Sequence, residues 1–234
     1  MSILEALKNK TQLLAILIDP EKFELTPAFA KAYLKKLPPQ TTHILVGGST
    51  DPDQKTEAVV QRLKKHCDFP ILLFPGSHKQ ITNTADGILF LSLLSGRNPT
   101  YLIDQQVAAA PYLSKTQLEV IPTGYLLIDG GSQTAVSRVS NTRPISQKDI
   151  STITDTTLAA QYMGKQCVYL EAGSGAKNAV SKEIIRAVRE AINIPIIVGG
   201  GIRSKKQMQD AFYAGATMVV IGTAFEEDSW NKVF

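Results

Sequence analysis

Two cysteines, Cys67 and Cys167, are all that the 234 residues contain. They cannot build a disulfide framework or a cysteine-based metal cluster. No apolar run approaches the roughly 18 residues of a membrane span. The opening stretch MSILEALKNKTQ has no signal-peptide core, because Glu5, Lys8 and Lys10 interrupt it. The expectation is a protein of the reducing cytoplasm with no transmembrane segment. No block of five like charges occurs, and 25 Lys+Arg are scattered among 21 Asp+Glu for a net charge of +4. Nucleic acid is therefore not an expected partner, and the mild basic bias suits an anionic small substrate. His43, His66 and His78 lack metal-ligand spacing. What is present is 44% hydrophobic residues, which excludes a disordered chain.

These apolar residues fall into eight short runs: Leu13–Ile18, His43–Val46, Ile71–Phe74, Ile88–Leu91, Tyr125–Ile128, Cys167–Leu170, Ile194–Val198 and Met218–Ile221. They are near-continuous rather than alternating, as in strands buried on both faces of a parallel sheet. Amphipathic stretches lie between them. Thr26-Pro27 opens one helix, Gln54–His66, Asn178–Ile192 and Ser204–Tyr213 read as others, and a further helix is expected near Ile103–Leu113. Eight units of on the order of 29 residues each predict a single (β/α)8 TIM barrel over residues 1–234. A doubly wound sheet fits less well, because the first strand ends in Asp19-Pro20 and not in a glycine-rich turn. The connection after the fourth strand is broken by Gly96 and Pro99, and Asp129–Asp155 reads as a long polar loop, a candidate lid.

Glycines cluster after the last three runs, in Tyr169–Gly175 (YLEAGSG), Val198–Ile202 (VGGGI) and Gly222-Thr223. Glycine lets backbone amides approach an anion closely, and late-strand loops are where barrels bind phosphate. Glu171 stands inside the first of these loops, where a carboxylate can accept hydrogen bonds from substrate hydroxyls or take a proton. Across the mouth, Asp19 ends the first strand and Gly47-Gly48-Ser49-Thr50 ends the second. A carboxylate and a hydroxyl make a modest Mg2+ site when substrate phosphates supply further oxygens. The ends of the third and fourth strands are apolar enough to hold a long hydrocarbon tail.

The ordered set LIDPEK, HILVGGS, LLFPGS, PTGYLLIDGG, VYLEAGSGA, VGGGI and VVIGTAFE resembles the geranylgeranylglyceryl phosphate synthase family, which includes bacterial heptaprenylglyceryl phosphate synthases. The resemblance runs from Ile16 to about Phe225. It implies a modified barrel with an irregular segment in place of one helix, located after the fourth strand. It also implies a Mg2+-dependent prenyltransferase that joins sn-glycerol 1-phosphate to a polyprenyl diphosphate. The glycerol phosphate site it implies is Tyr169, Leu170, Glu171, Ala172, Gly173, Ser174, Gly175, Gly200, Gly201, Gly222 and Thr223, with Glu171 catalytic. The metal site it implies is Asp19 and Ser49, Thr50 being the alternative to Ser49. Tyr125 and Tyr169 are expected to line the path between the two sites. A homo-oligomer, dimer or hexamer, is implied, and Trp230 is expected to serve as an aromatic anchor outside the strands. A phosphosugar isomerase or aldolase, or a non-catalytic phosphate-binding protein, would share the glycine cradle. The first would need a strand lysine or a Glu/His pair, and no lysine lies in a predicted strand.

Overall fold

The computed structural model describes residues 2–227 and Trp230. Its strands β1 (Leu13–Ile18), β2 (Thr41–Val46), β3 (Ile71–Leu73), β4 (Gly87–Leu93), β5 (Glu119–Leu127), β6 (Cys167–Glu171), β7 (Ile196–Gly199) and β8 (Met218–Ile221) close in chain order into a parallel barrel. Helix α1 (Ile3–Asn9) precedes the barrel. The connections carry α2 (Pro27–Lys35), α3 (Thr56–Lys64), α4 (Gln105–Leu113), α5 (Ala135–Ser140), α6 (Ile150–Tyr162), α7 (Lys182–Ala191) and α8 (Lys205–Tyr213), with α9 (Thr223–Glu226) following β8. Each of the eight expected runs overlaps a strand, with Phe74, Ile128, Ile194 and Pro195 falling just outside. β5 starts six residues earlier than Tyr125, because Pro122 and Gly124 sit in register with Phe90 and Ser92. Pro122 lacks an N–H, but its carbonyl still accepts from Gln166 N at 2.7 Å.

The helix starts follow the local chemistry. Thr26, Ser181 and Ser204 cap α2, α7 and α8, each hydroxyl accepting a backbone N–H in the first turn. Two expectations about the connections need correction. The irregular segment lies after β3, not after β4: residues 74–86, FPGSHKQITNTAD, form no helix, being rich in turn-forming side chains. After β4, Gly96 and Pro99 interrupt the chain only briefly, and a π-turn at Thr100–Asp104 leads directly into α4. The long polar connection of residues 129–155 is also not a bare loop, since it holds α5 and the start of α6.

Strand alternation sorts the apolar side chains into two layers. Leu14, Ile16, Val168, Leu170 and Val198 face outward under α6, α7 and α8. Leu13, Ala15, Leu45, Leu72, Leu89, Ile121, Ile197 and Met218 fill the barrel, joined by Ile3 and Leu7 of α1. Glu119, the first residue of β5, pins α1 there by accepting from Ile3 N at 2.7 Å and Leu4 N at 2.8 Å. The N-terminal end of the barrel is thereby stoppered, which leaves the C-terminal mouth as the open end. Trp230 is 2% exposed within the outer core, beside the cluster that holds Phe225, so it is not an exposed anchor for a partner. Among the described residues no helix is long and apolar enough to cross a membrane.

Candidate active site

β6 decides which residues of the YLEAGSG stretch can face the mouth. Its period of two turns Tyr169 and Glu171 inward and sends Leu170 and Ala172 into the outer core. The Leu170 and Ala172 side chains are therefore outside the site, and the Ala172 N–H is committed to Gly199 O at 3.0 Å. Glu171 is 6% exposed. Burial pushes its carboxyl up to about 7, against the opposing pull of the Gly173 N–H, which donates to Oε1 at 2.6 Å. That bond also removes the Gly173 amide from the set of groups free to hold a phosphate. Tyr169 is fully buried, and its hydroxyl faces the Glu171 carboxylate, which it helps to stabilise, without a closely aligned hydrogen bond to any described residue. Burial, and then the charge of Glu171, raise the phenol well above its ordinary value.

The three glycine-rich ends are contiguous. A methyl group on Gly200, at φ +81°, would stand 2.4 Å from Glu171 Oε1, so only glycine lets the β7 end close over the carboxylate. Gly173, at φ +104°, likewise leaves no room for a side chain, because a methyl there would lie 2.2 Å from Thr134 Cγ2. Gly201 packs beside Ala179, and the Ser174 and Thr223 hydroxyls meet at 2.9 Å, joining the β6 and β8 ends. Gly175 stands in open space. Arg203, just past VGGGI, reaches across the cradle to the carbonyls of Gly175 and Ala176, both at 3.2 Å. It was missed in the sequence, where its only signal is adjacency to that motif.

On the opposite rim, Asp19 and the Gly48-Ser49 turn come together: a methyl on Gly48 would stand 3.4 Å from Asp19 Oδ1. Asp19 Oδ2 has Lys22 Nζ at 3.9 Å, but that lysine is held more tightly by Glu226 at 2.8 Å. The Thr50 hydroxyl donates to Glu21 at 3.0 Å, and Asp19 Oδ1 accepts from the Glu21 N–H at 3.1 Å. A carboxylate beside a turn that carries two hydroxyls suits a hard cation that keeps water and substrate oxygens. Among the described residues no group of three His, Cys, Asp or Glu forms a fuller cage.

Between the two rims Phe74, Tyr125 and Tyr169 form an aromatic trio. Phe74 stacks on Tyr169 with centroids 4.9 Å apart, and Tyr125 lies 5.9 Å and 5.5 Å from the other two rings. Beside the trio lies an apolar cavity, with Gly48, Ser49, Phe74, Leu91 and Tyr125 in its lining together with Ile81, Phe90 and Ala109. Helix α5 spans both halves: Thr134, its cap, rests on Gly173, while Val136 and Val139 line the cavity. Tyr125 thus lies on the cavity wall. Phe74 also lines it, as expected for the end of the third strand, and so do Tyr101, Gln105, Gln106 and Val136, which sequence reasoning did not single out, since the segments that carry them reach the mouth only through tertiary packing. Three glycine-rich strand ends, a buried carboxylate raised to about 7 and, across one aromatic trio, an apolar cavity suit transfer of an apolar group to a hydroxyl of a phosphorylated acceptor.

The profile of the PcrB family matches residues 6–234. A geranylgeranylglyceryl phosphate synthase of Zunongwangia profunda is 54% identical over 230 residues, covering 98% of this chain and 97% of the relative. One from Methanopyrus kandleri is 40% identical over 230 residues, covering 97% and 94%. The crystal structure of (S)-3-O-geranylgeranylglyceryl phosphate synthase from Thermoplasma acidophilum in complex with substrate sn-glycerol-1-phosphate superposes with a TM-score of 0.87 at 36% identity. It covers 97% of this chain and 92% of that one.

Proposed function

The chain belongs to the PcrB family, and on that premise we propose that it is a magnesium-dependent prenyltransferase of the cytoplasm. It joins sn-glycerol 1-phosphate to a polyprenyl diphosphate, geranylgeranyl diphosphate by the names of its relatives. The observation that carries this reading is that the apolar cavity is walled by Phe74 and Tyr125, whose rings pack on Tyr169 beside Glu171 of the glycine-rich rim. A phosphosugar isomerase or a simple phosphate-binding protein would need the glycines but has no use for an adjoining apolar cavity.

The residues divide the work. Gly175, Gly200, Gly201, Gly222, Ser174 and Thr223 surround the glycerol phosphate, which fixes the acceptor hydroxyl in place. Tyr169, whose buried hydroxyl faces Glu171, and Glu171 itself orient the acceptor hydroxyl. Asp19 and Ser49 would hold Mg2+, which when bound neutralises charge on the departing diphosphate. The prenyl tail lies along Phe74, Tyr125 and the cavity beyond. The glycerol C3 oxygen bonds to prenyl C1 as the prenyl C1–O bond breaks, diphosphate leaves with the bonding electrons, and Glu171 accepts the hydroxyl proton. A carboxyl near 7 is well matched to that last role at neutral pH. We include a homo-oligomer, dimer or hexamer, in the proposal. Ile103, 57% exposed, and Val107, 63% exposed, offer apolar surface for it.

The test is incubation with labelled geranylgeranyl diphosphate, Mg2+ and each enantiomer of glycerol phosphate. A phosphate and one hydroxyl leave the chiral carbon free to turn, so a third contact at Tyr169 or the second Glu171 oxygen must read the hand. The expected result is an ether-linked product, with the 1-phosphate preferred by well over about tenfold in kcat/KM. Equal rates for the two enantiomers, or no ether product, would overturn the reading.

A further inference from the structure

The barrel wall is incomplete between its third and fourth strands. β3 has three residues and β4 seven, and their register contains only Leu72 with Gly87 and Leu73 with Ile88. Beyond Ile88, β4 has β5 on one side and no strand on the other. The Leu91 carbonyl faces that gap. In the wall of an apolar cavity a backbone carbonyl with no donor is costly, and water would be drawn to it.

Gln106 of α4 supplies the donor. Its Nε2 donates to Leu91 O and, at 3.2 Å, to Tyr101 O. Both partners are acceptors, which fixes the orientation of the amide: turned over, Oε1 would face two carbonyl oxygens. Oε1 itself is buried and has no partner among the described residues, so the side chain is held in place by what its N–H groups do. The neighbouring Gln105 ties down the other side of the gap, its Oε1 accepting from His78 N at 2.8 Å in the irregular segment after β3. Both glutamines line the cavity.

We propose that Gln106 is a positioning residue for the polyprenyl tail. Its amide stands in for the absent strand by satisfying the Leu91 carbonyl, which keeps the slot between β3 and β4 open and removes that carbonyl's call on water. The tail then passes from the barrel interior at Leu89 and Leu91 to the pocket outside the wall at Ile81, Phe90 and Ala109. A hydrocarbon tail can neither satisfy the Leu91 carbonyl nor share the slot with the water that would otherwise do so. The inference rests on the prenyltransferase reading above.

The experiment compares Gln106→Leu with the wild type on geranylgeranyl diphosphate and on geranyl diphosphate, whose tail has half the carbons and so reaches less far along the cavity. The expected result is a KM for geranylgeranyl diphosphate raised about tenfold, with kcat, the KM for glycerol phosphate and the KM for geranyl diphosphate all within about twofold. An equal rise for both chain lengths, a fall in kcat alone, or no change in KM would overturn the proposal. Gln106→His and Gln106→Glu provide a second comparison should the leucine variant fail to fold. The histidine keeps an N–H donor and should retain a near-normal KM for the long substrate, whereas the carboxylate opposes two carbonyls and should raise it. Equal KM values in these two would also overturn the proposal. A wild-type protein that turned over neither diphosphate would refute the prenyltransferase reading instead.

Discussion

Across one barrel mouth the ends of β6, β7 and β8 face the ends of β2, β3 and β4, and the two rims solve their tasks with different materials. The first rim is backbone. Its glycines bring amides and carbonyls close together, and Glu171 sits among them with Gly200 pressed against it. The second rim is side chain, with Phe74, Tyr125, Leu91 and the residues of α4 and α5 walling an apolar cavity through a gap in the sheet. An anion is recognised by many short N–H contacts, which depend on chain geometry. A hydrocarbon is recognised by shape and area, which depend on what happens to pack nearby. The difference also predicts separate failures, in which damage to one rim spares binding at the other.

The largest effect is expected for Asp19→Ala. It should lower Mg2+-dependent turnover by about 10³-fold, the equivalent of several kcal/mol of leaving-group charge stabilisation, while glycerol phosphate binding persists. Calorimetric titration with sn-glycerol 1-phosphate beside a steady-state assay at saturating Mg2+ checks both halves. Near-normal turnover would remove Asp19 from the metal site.

Next comes Glu171→Gln, expected to slow the chemical step by roughly 10²-fold. In the wild type, kcat/KM should fall as pH drops through about 7, where the buried carboxylate takes up its proton, and that limb should vanish in the variant. Stability should move the opposite way. A carboxyl raised in the folded state destabilises the fold as pH climbs from its unfolded value near 4.5 through about 7, because the charged form is the one that burial disfavours. The glutamine variant should therefore melt higher than wild type at pH 8, by up to about 3 kcal/mol of stability, and not at pH 4. A melting temperature unchanged or lowered at pH 8 would show that the carboxylate is better solvated than its burial indicates.

The smallest and most discriminating test pairs Gly200→Ala with Phe74→Ala. The added methyl should displace Glu171 and raise the KM for glycerol phosphate by about tenfold, leaving the KM for the prenyl diphosphate within about twofold. Loss of the Phe74 ring should do the reverse, by a similar factor, through lost apolar contact. If each variant shifts both constants together, the two rims are one coupled site and the division drawn here fails.

The contrast also explains what could be read in advance. The glycine rim was legible because its recognition is local: YLEAGSG and VGGGI carry their geometry in consecutive residues. Even there, only the strand register showed that Leu170 and Ala172 face away and that the Gly173 amide is spent on Glu171. Of the apolar rim only the ends of the third and fourth strands were legible. Gln106, Tyr101 and Val136 lie in connections whose composition says nothing about a cavity, and the irregular segment was expected one connection too late because Pro75-Gly76 after β3 and Gly96 with Pro99 after β4 break the chain about equally, so local signals do not say which connection lacks its helix. Trp230 misled in the same way, since a lone tryptophan near the end of a chain gives no sign of which core it enters.

By itself, the order of apolar runs and glycine-rich turns determined an eight-stranded parallel barrel with glycines gathered at the ends of its late strands, because hydrophobic period and backbone freedom are properties of neighbouring residues. Only the tertiary structure decided where the wall of that barrel is left open, which side chains line the opening and how Glu171 comes to be buried with a carboxyl near 7. Those outcomes depend on strand lengths compared across the sheet and on helices that pack against distant residues, and burial is a property of the surroundings that no single stretch of chain carries.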